Sequence, residues 1–325
     1  MPTFLVTPRM SPELSARVEA SVTGQKRGSA SRLGPRATMG LRVVALATIA
    51  AALVWLVLTK RQADQETETL RAALIERWQQ ARAPLSASQL ELPRRLLALV
   101  KPELQRYSGD LVTARARAPQ LARLLAEPTV YVRGPLATLG QAAGLEQSAR
   151  ESVKDAFLLC LLDPPEKRSE KALLGRVKSA YAAGDRMQRA TAQVTRLGDA
   201  FVGLPFLDAG WREQVVRAKH HQELERLESS FARAPIQAAR AALQARQLLF
   251  VVDEPGAASA ITELDGEKPH DVRVGLVDLS TGQLLLRLRR RVDPSGLSDA
   301  TRAEYARGVD DCGLALDVRD AATES

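Results

Sequence analysis

Histidine and cysteine are nearly absent from this sequence, at three and two in 325 residues. That scarcity excludes the disulfide-dense class of small secreted scaffolds. Neither C-x-x-C nor H-E-x-x-H occurs, and G-x-S-x-G, G-x-x-x-x-G-K-[ST] and G-x-G-x-x-G are missing too. Their absence excludes the easily read thioredoxin-like, elbow-serine and nucleotide-binding chemistries, and leaves room for an enzyme built from dispersed residues. Aromatic residues make up only 4% of the chain. A core must therefore be built from Leu, Val and Ala, which favours helices over sheets.

Positive charge of one broad field is also lacking, despite a net charge of +8. Residues 1–59 hold seven basic and two acidic side chains, a net of +5, which leaves +3 for the other 266 residues. The bulk of the chain is thus close to neutral and without the field that phosphate backbones require, so no nucleic-acid partner is expected.

What is present is one long apolar run. Val43 to Leu58 reads VVALATIAAALVWLVL, and Met39 to Leu41 extend it past Arg42. About 20 residues span a ~30 Å hydrocarbon core, Arg42 is placed to snorkel, and Trp55 suits an interfacial belt. A cleaved leader would end at a small-x-small site, whereas this run ends Leu-Thr-Lys-Arg. Residues 39–59 read as a transmembrane helix in contact with the lipid bilayer. Lys26, Arg27, Arg32, Arg36 and Arg42 precede it; Lys60, Arg61, Arg71 and Arg77 follow. The narrow basic excess places the N-terminus in the cytoplasm.

Residues 1–38, rich in Ser, Gly, Pro and Arg, read as a disordered basic tail. Residues 60–128 read as a helical stalk or subdomain, with Leu70, Leu74 and Trp78 on one face and helices at 92–106 and 111–125. Residues 129–325 read as a soluble α+β domain. A strand is predicted at Thr129–Arg133, then helices at 147–162, 166–181, 211–231 and 236–247, the third being the longest. Leu248–Val252 is a continuous apolar run suited to a buried strand. Alternation at 272–276 and 284–288 around Ser280-Thr281-Gly282 predicts a β-hairpin. Ser298 precedes a final helix whose stripe is Tyr305, Val309, Cys312 and Leu316. The fold class is therefore α+β and mostly helical, with a bundle-like middle and a small antiparallel sheet covered by helices at the C-terminus.

Candidate chemistry is sparse. Asp265, Glu267, His270 and Asp271 form the densest polar segment, suited to acid–base work or a cation, although Gly266 and Pro269 mark it as a connection. Asp253 and Glu254 follow the predicted buried strand, a placement that catalytic carboxylates share with ordinary loop residues. His220 and His221 point about 100° apart on a helix; His221 with Glu225 offers two ligands, fewer than zinc requires. No cofactor and no metal is expected. Arg287, Arg289, Arg290 and Arg291 form a basic strip, read as a solvated strand face that resists edge pairing, with anionic lipid or an acidic partner as the alternative. Cys160 and Cys312 lie on apolar helix stripes, where each reads first as a buried small hydrophobe, with a disulfide between them as the alternative.

The role expected from these features is a binding or scaffolding domain with a protein partner, anchored in a bacterial inner membrane and facing the periplasm. The alternatives are a membrane-tethered hydrolase or metal-dependent enzyme using these carboxylates and His270, and a regulator of reversed topology.

Overall fold

The computed structural model describes residues 35–182, 184–255 and 268–324. Asp265 and Glu267, like the N-terminal tail up to residue 34, lie outside the described residues. The chain divides into two compact units, 1–65 and 66–325.

The first helix, α1 (Pro35–Arg82), carries the apolar run. It is long and apolar enough to cross a membrane. From Leu46 to Leu58 its large apolar side chains are 48–69% exposed. Such exposure in an unbroken run is costly in water and suits contact with lipid. Past Glu66 the same helix belongs to the folded unit, where Leu74 and Trp78 are buried with Trp211, Val215 and Leu224.

The remaining helices are α2 (Ala87–Leu90), α3 (Leu92–Gln105), α4 (Gln120–Leu125), α5 (Leu136–Leu139), α6 (Ala142–Glu151), α7 (Ala156–Leu162), α8 (Glu170–Ala182), α9 (Gly184–Ala190), α10 (Leu197–Gly203), α11 (Ala209–Arg217), α12 (His221–Arg233), α13 (Ile236–Leu243) and α14 (Asp299–Glu324). Six strands accompany them: β1 (Leu111–Val112), β2 (Thr129–Pro135), β3 (Val194–Arg196), β4 (Gln247–Asp253), β5 (His270–Asp278) and β6 (Gln283–Val292). The described chain is thus α+β and mostly helical.

All six strands form one sheet in the order β1-β6-β5-β4-β2-β3. β2 pairs in parallel with both β3 and β4, while β4–β5, β5–β6 and β1–β6 are antiparallel. The sheet is therefore mixed and larger than the small antiparallel one expected. Parallel partners must be joined by long crossovers, so β2, β3 and β4 are far apart in sequence and leave no hairpin signal. β4 is buried along its whole length, which explains its continuous apolar run. The β5–β6 turn is where the sequence places it. Asp278 Oδ1 accepts from the Ser280 and Thr281 amides, and Gly282 adopts φ 71°.

Helices cover both faces. Tyr131, Leu249, Val251, Val274 and Leu288 pack against α7, α8 and α14. Val130, Val132, Phe250 and Val252 pack against α3, α6, α10 and α13. Leu96, Val100 and Leu104 belong to this second core, so residues before 128 share it with the strands.

Three predicted helices are corrected. The span 111–125 opens as a strand, because Leu111 and Val112 pair with β6 and the Thr113 amide and hydroxyl both donate to Leu285 O. The span 211–231 is two helices, since Glu223 caps a new start by accepting from the Lys219 and His220 amides. The span 147–162 breaks at Ser152–Asp155, where the Asp155 side chain caps α7 by accepting from the Leu158 amide at 3.1 Å. Apolar periodicity runs through each break, because a short interruption preserves which side is buried.

Cys160 of α7 and Cys312 of α14 are joined as a disulfide, fully buried, with Cα atoms 5.1 Å apart and a sequence separation of 152. Closing so long a loop contributes about 5 kcal/mol on the chain-entropy model.

One close approach fixes the sheet's second face. Gly275 stands opposite Phe250 across β4–β5, and a Cβ there would come within 2.1 Å of the tip of the Phe250 ring. Gly275→Ala is expected to destabilise the folded unit by about 1–3 kcal/mol through overpacking. Combination with Phe250→Leu should restore part of that loss in denaturant melts; additive losses would contradict the contact.

Candidate functional site

The chain leaves β2 for β3 on one side and returns across β2 to β4 on the other. The carboxyl ends of β2 and β4 therefore meet at a switch in winding direction. In open α/β sheets this is where a crevice forms and ligands bind. Arg133 of β2 and Asp253 of β4 occupy that position.

Arg133 is the hub of a buried polar cluster. Its Nε and Nη2 donate to Asp253 Oδ2 and Oδ1 at 3.0 and 2.8 Å, the bidentate geometry a guanidinium favours. Its Nη1 donates to Asp155 Oδ2 at 3.2 Å and to Asp311 Oδ1 at 2.6 Å. The Tyr131 hydroxyl donates to Asp155 Oδ2 at 2.8 Å, and the Arg133 amide donates to Ser152 Oγ at 3.1 Å. The helix break at 152–155 thus supplies two members of the cluster. All three carboxylates and the guanidinium are buried. Four elements (β2, β4, the start of α7 and α14) converge on one cation.

His270, at the start of β5, brings its Nε2 to 3.7 Å from Asp253 Oδ1, an ion-pair distance beyond hydrogen-bond reach. Its Nδ1 lies 3.0 Å from Lys268 O. Asp253 and His270, singled out in separate segments of the sequence, are therefore neighbours. Glu254 points to the other face, where it accepts from Arg273 Nε and from Arg289 Nη2. Asp271 joins it there by accepting from Arg289 at 2.9 Å.

Arg133, Asp155, Asp310 and Asp311 were not among the candidates read from sequence. Their signal is a charged residue inside an otherwise apolar segment: Arg133 after Val-Tyr-Val, and Asp311 beside the buried Cys312. Among the described residues, no three His, Cys, Asp or Glu side chains are grouped to hold a metal ion. His221 and Glu225 form a surface pair at 3.5 Å on α12. The basic strip is paired throughout: Arg287 with Glu103 at 2.9 Å, Arg289 with Glu254 and Asp271, Arg290 with Asp110 at 2.6 Å and Arg291 with Asp271 at 3.8 Å. Tyr107 lies under the guanidinium groups of Arg273, Arg287 and Arg289.

The cluster divides its carboxyl groups by acidity. Burial pushes the Asp253 carboxyl up, but Arg133 and His270 overcome this and hold it well below the usual range. Burial, only partly offset by Arg133, lifts Asp311 to about 6, with the Asp155 charge adding to the rise. Asp310, beside it, is pushed up to about 7 by burial and by the Asp311 charge. His270 is raised by its Asp253 partner against the effect of burial.

A cleft of about 310 Å³ opens beside the cluster. Its lining includes Asp155 and Asp311, which are buried, and Val153 and Tyr181, which are about half exposed.

No protein-family profile, curated protein or solved structure matches the chain.

Both the ion pairing and the proton affinities of the cluster are measurable. Arg133→Ala leaves three buried carboxylates without their cation and should destabilise the unit by about 3–5 kcal/mol. A denaturation midpoint within experimental error of the parent would show that the cluster is not the keystone. The second concerns pH. Asp310 and Asp311 bind protons more tightly folded than unfolded, and so does His270. Their contributions are complete below the unfolded values of 3.8 and 6.5 and are lost as pH rises through the folded ones. Asp253 acts oppositely, losing its contribution only in acid below 3.8. The thermal midpoint is therefore expected to be higher at about pH 5 than at about pH 8, with Asp310→Asn narrowing the difference. An equal or higher midpoint at pH 8 would contradict these proton affinities.

Proposed function

We propose that the chain is a single-pass protein of a bacterial inner membrane whose unit from Glu66 onward is a binding module facing the periplasm. The observation that carries this is the helix α1. Its apolar run lies exposed to solvent, while the same helix continues to side chains buried in the folded unit. Lipid is the medium that removes this apolar surface from water.

Three further features support the reading. The charge beyond residue 59 is near balance. The paired cysteines suit an oxidising compartment such as the periplasm. At the switch point the polar groups are turned toward one another. Asp253, the strongest candidate base, is held bidentately by Arg133 and kept strongly acidic. That is a poor arrangement for proton abstraction near neutral pH. An open cleft remains beside the closed cluster, which favours binding over hydrolysis or metal-dependent catalysis.

Protease added to intact spheroplasts is expected to digest the part beyond residue 60, while the protein resists alkaline extraction from membranes. Full protection until lysis would overturn the orientation, and release by alkali would overturn the anchor. Thiol alkylation of the membrane-derived protein under denaturing, non-reducing conditions should leave Cys160 and Cys312 unlabelled. Labelling of both would remove the support drawn from the disulfide.

A further inference from the structure

The positive charge of this chain is concentrated where the anchor begins. Glu19 is followed by no acid until Asp64, so residues 20–63 carry cations alone. Lys26, Arg27, Arg32, Arg36 and Arg42 precede the apolar run, and Lys60 and Arg61 follow it. The folded unit treats its cations differently. Arg133 meets three carboxylates, and the arginines of β6 are each matched by an acid. The two flanks of the run also differ from each other. Asp64, Glu66 and Glu68 come directly after Lys60 and Arg61 and offset them, whereas no acid stands between Lys26 and the membrane.

The helix sets the depth of these charges. α1 is helical from Pro35 through the apolar run, so the stretch from Arg36 to Lys60 measures about 36 Å at 1.5 Å per residue. That exceeds a hydrocarbon core of ~30 Å and falls short of the ~40–45 Å that includes both headgroup layers. Arg36 and Lys60 therefore stand at headgroup depth on opposite sides. Arg42 lies deeper, within reach of the same layer as Arg36 by snorkelling.

Four of the five leading cations are arginines, whose planar fork takes two oxygens of one phosphate. A zwitterionic headgroup brings its own ammonium, which already answers its phosphate. A phosphodiester without an amine does not, and its charge is left for the protein. Each cation close to an anionic surface favours it by about fivefold, an attraction that fades over ~10 Å.

We propose that the flank from Lys26 to Arg42 is a binding surface for anionic phospholipid, which gathers such lipids around this end of the anchor and leaves the Lys60 end without a comparable preference. The inference rests on the anchor read above. Insertion into a bilayer tests that anchor and needs only the apolar run, so the two can fail separately.

The test is native mass spectrometry of the full chain released from nanodiscs made of equal parts phosphatidylglycerol and phosphatidylcholine. The parent chain is expected to retain phosphatidylglycerol at least about fivefold over phosphatidylcholine, with the preference shrinking when the discs are equilibrated in high salt. Arg27→Gln, Arg32→Gln and Arg36→Gln combined should bring the preference below about twofold. Lys60→Gln with Arg61→Gln should leave most of it in place. These positions lie outside the folded unit, so the melt of every variant should match the parent. Failure of the parent to enter nanodiscs would overturn the anchor and this inference with it. Entry with equal retention of the two lipids, or with no lipid retained, would overturn the lipid surface alone, as would a preference that survives the triple substitution or is lost with Lys60 and Arg61.

Discussion

The guanidinium of Arg133 is the point on which this fold depends. It stands at the end of a parallel strand whose other neighbours are apolar, and it gathers carboxylates from three separate parts of the chain. A buried charge is tolerated only when it is paired and hydrogen-bonded, so placing Arg133 there forces Asp155, Asp253 and Asp311 to arrive together. The same requirement explains the interruption between α6 and α7. A helix running unbroken through 152–155 would leave neither the Ser152 hydroxyl nor the Asp155 side chain free for β2.

The disulfide and the cluster act on the same pair of helices. Asp155 caps the start of α7 and Cys160 lies in its body, and Cys312 and Asp311 are adjacent on α14. The covalent link ties α14 to α7, the two helices whose Asp311 and Asp155 reach one nitrogen of Arg133. Burial first, and their mutual repulsion second, weakens Asp311 and Asp310 as acids. The opposite face of the sheet is organised differently, around Tyr107 and arginines that each find an acid. That pairing leaves the basic strip little net charge to offer an anionic surface.

Much of the secondary structure was legible in the sequence, because burial periodicity is a local property. The apolar run of α1, the buried strand β4, the β5–β6 hairpin and the stripe of α14 each follow from residue type and spacing. Local reading failed where burial continued through a break in backbone direction, as at 152–155 and 218–220. It failed again at Leu111–Val112, where two residues become a strand only because β6 supplies an edge for them. Of the candidate site residues, Asp253 and His270 were visible as polar groups at the ends of apolar runs, but nothing local indicated that they adjoin.

Composition and spacing were enough to set the class of the chain: one long apolar helix, a near-neutral remainder, an aliphatic core and two cysteines on apolar stripes. Those properties are sums over neighbours a few residues apart, and one chain contains them. Long-range packing fixes the rest: the sheet is mixed, β2 lies between β3 and β4, and Arg133 faces three acids 22, 120 and 178 residues away. Parallel pairing and ion-pair convergence depend on which distant segments meet. That choice is made by the packing of helices on both faces of the sheet, and no local pattern encodes it.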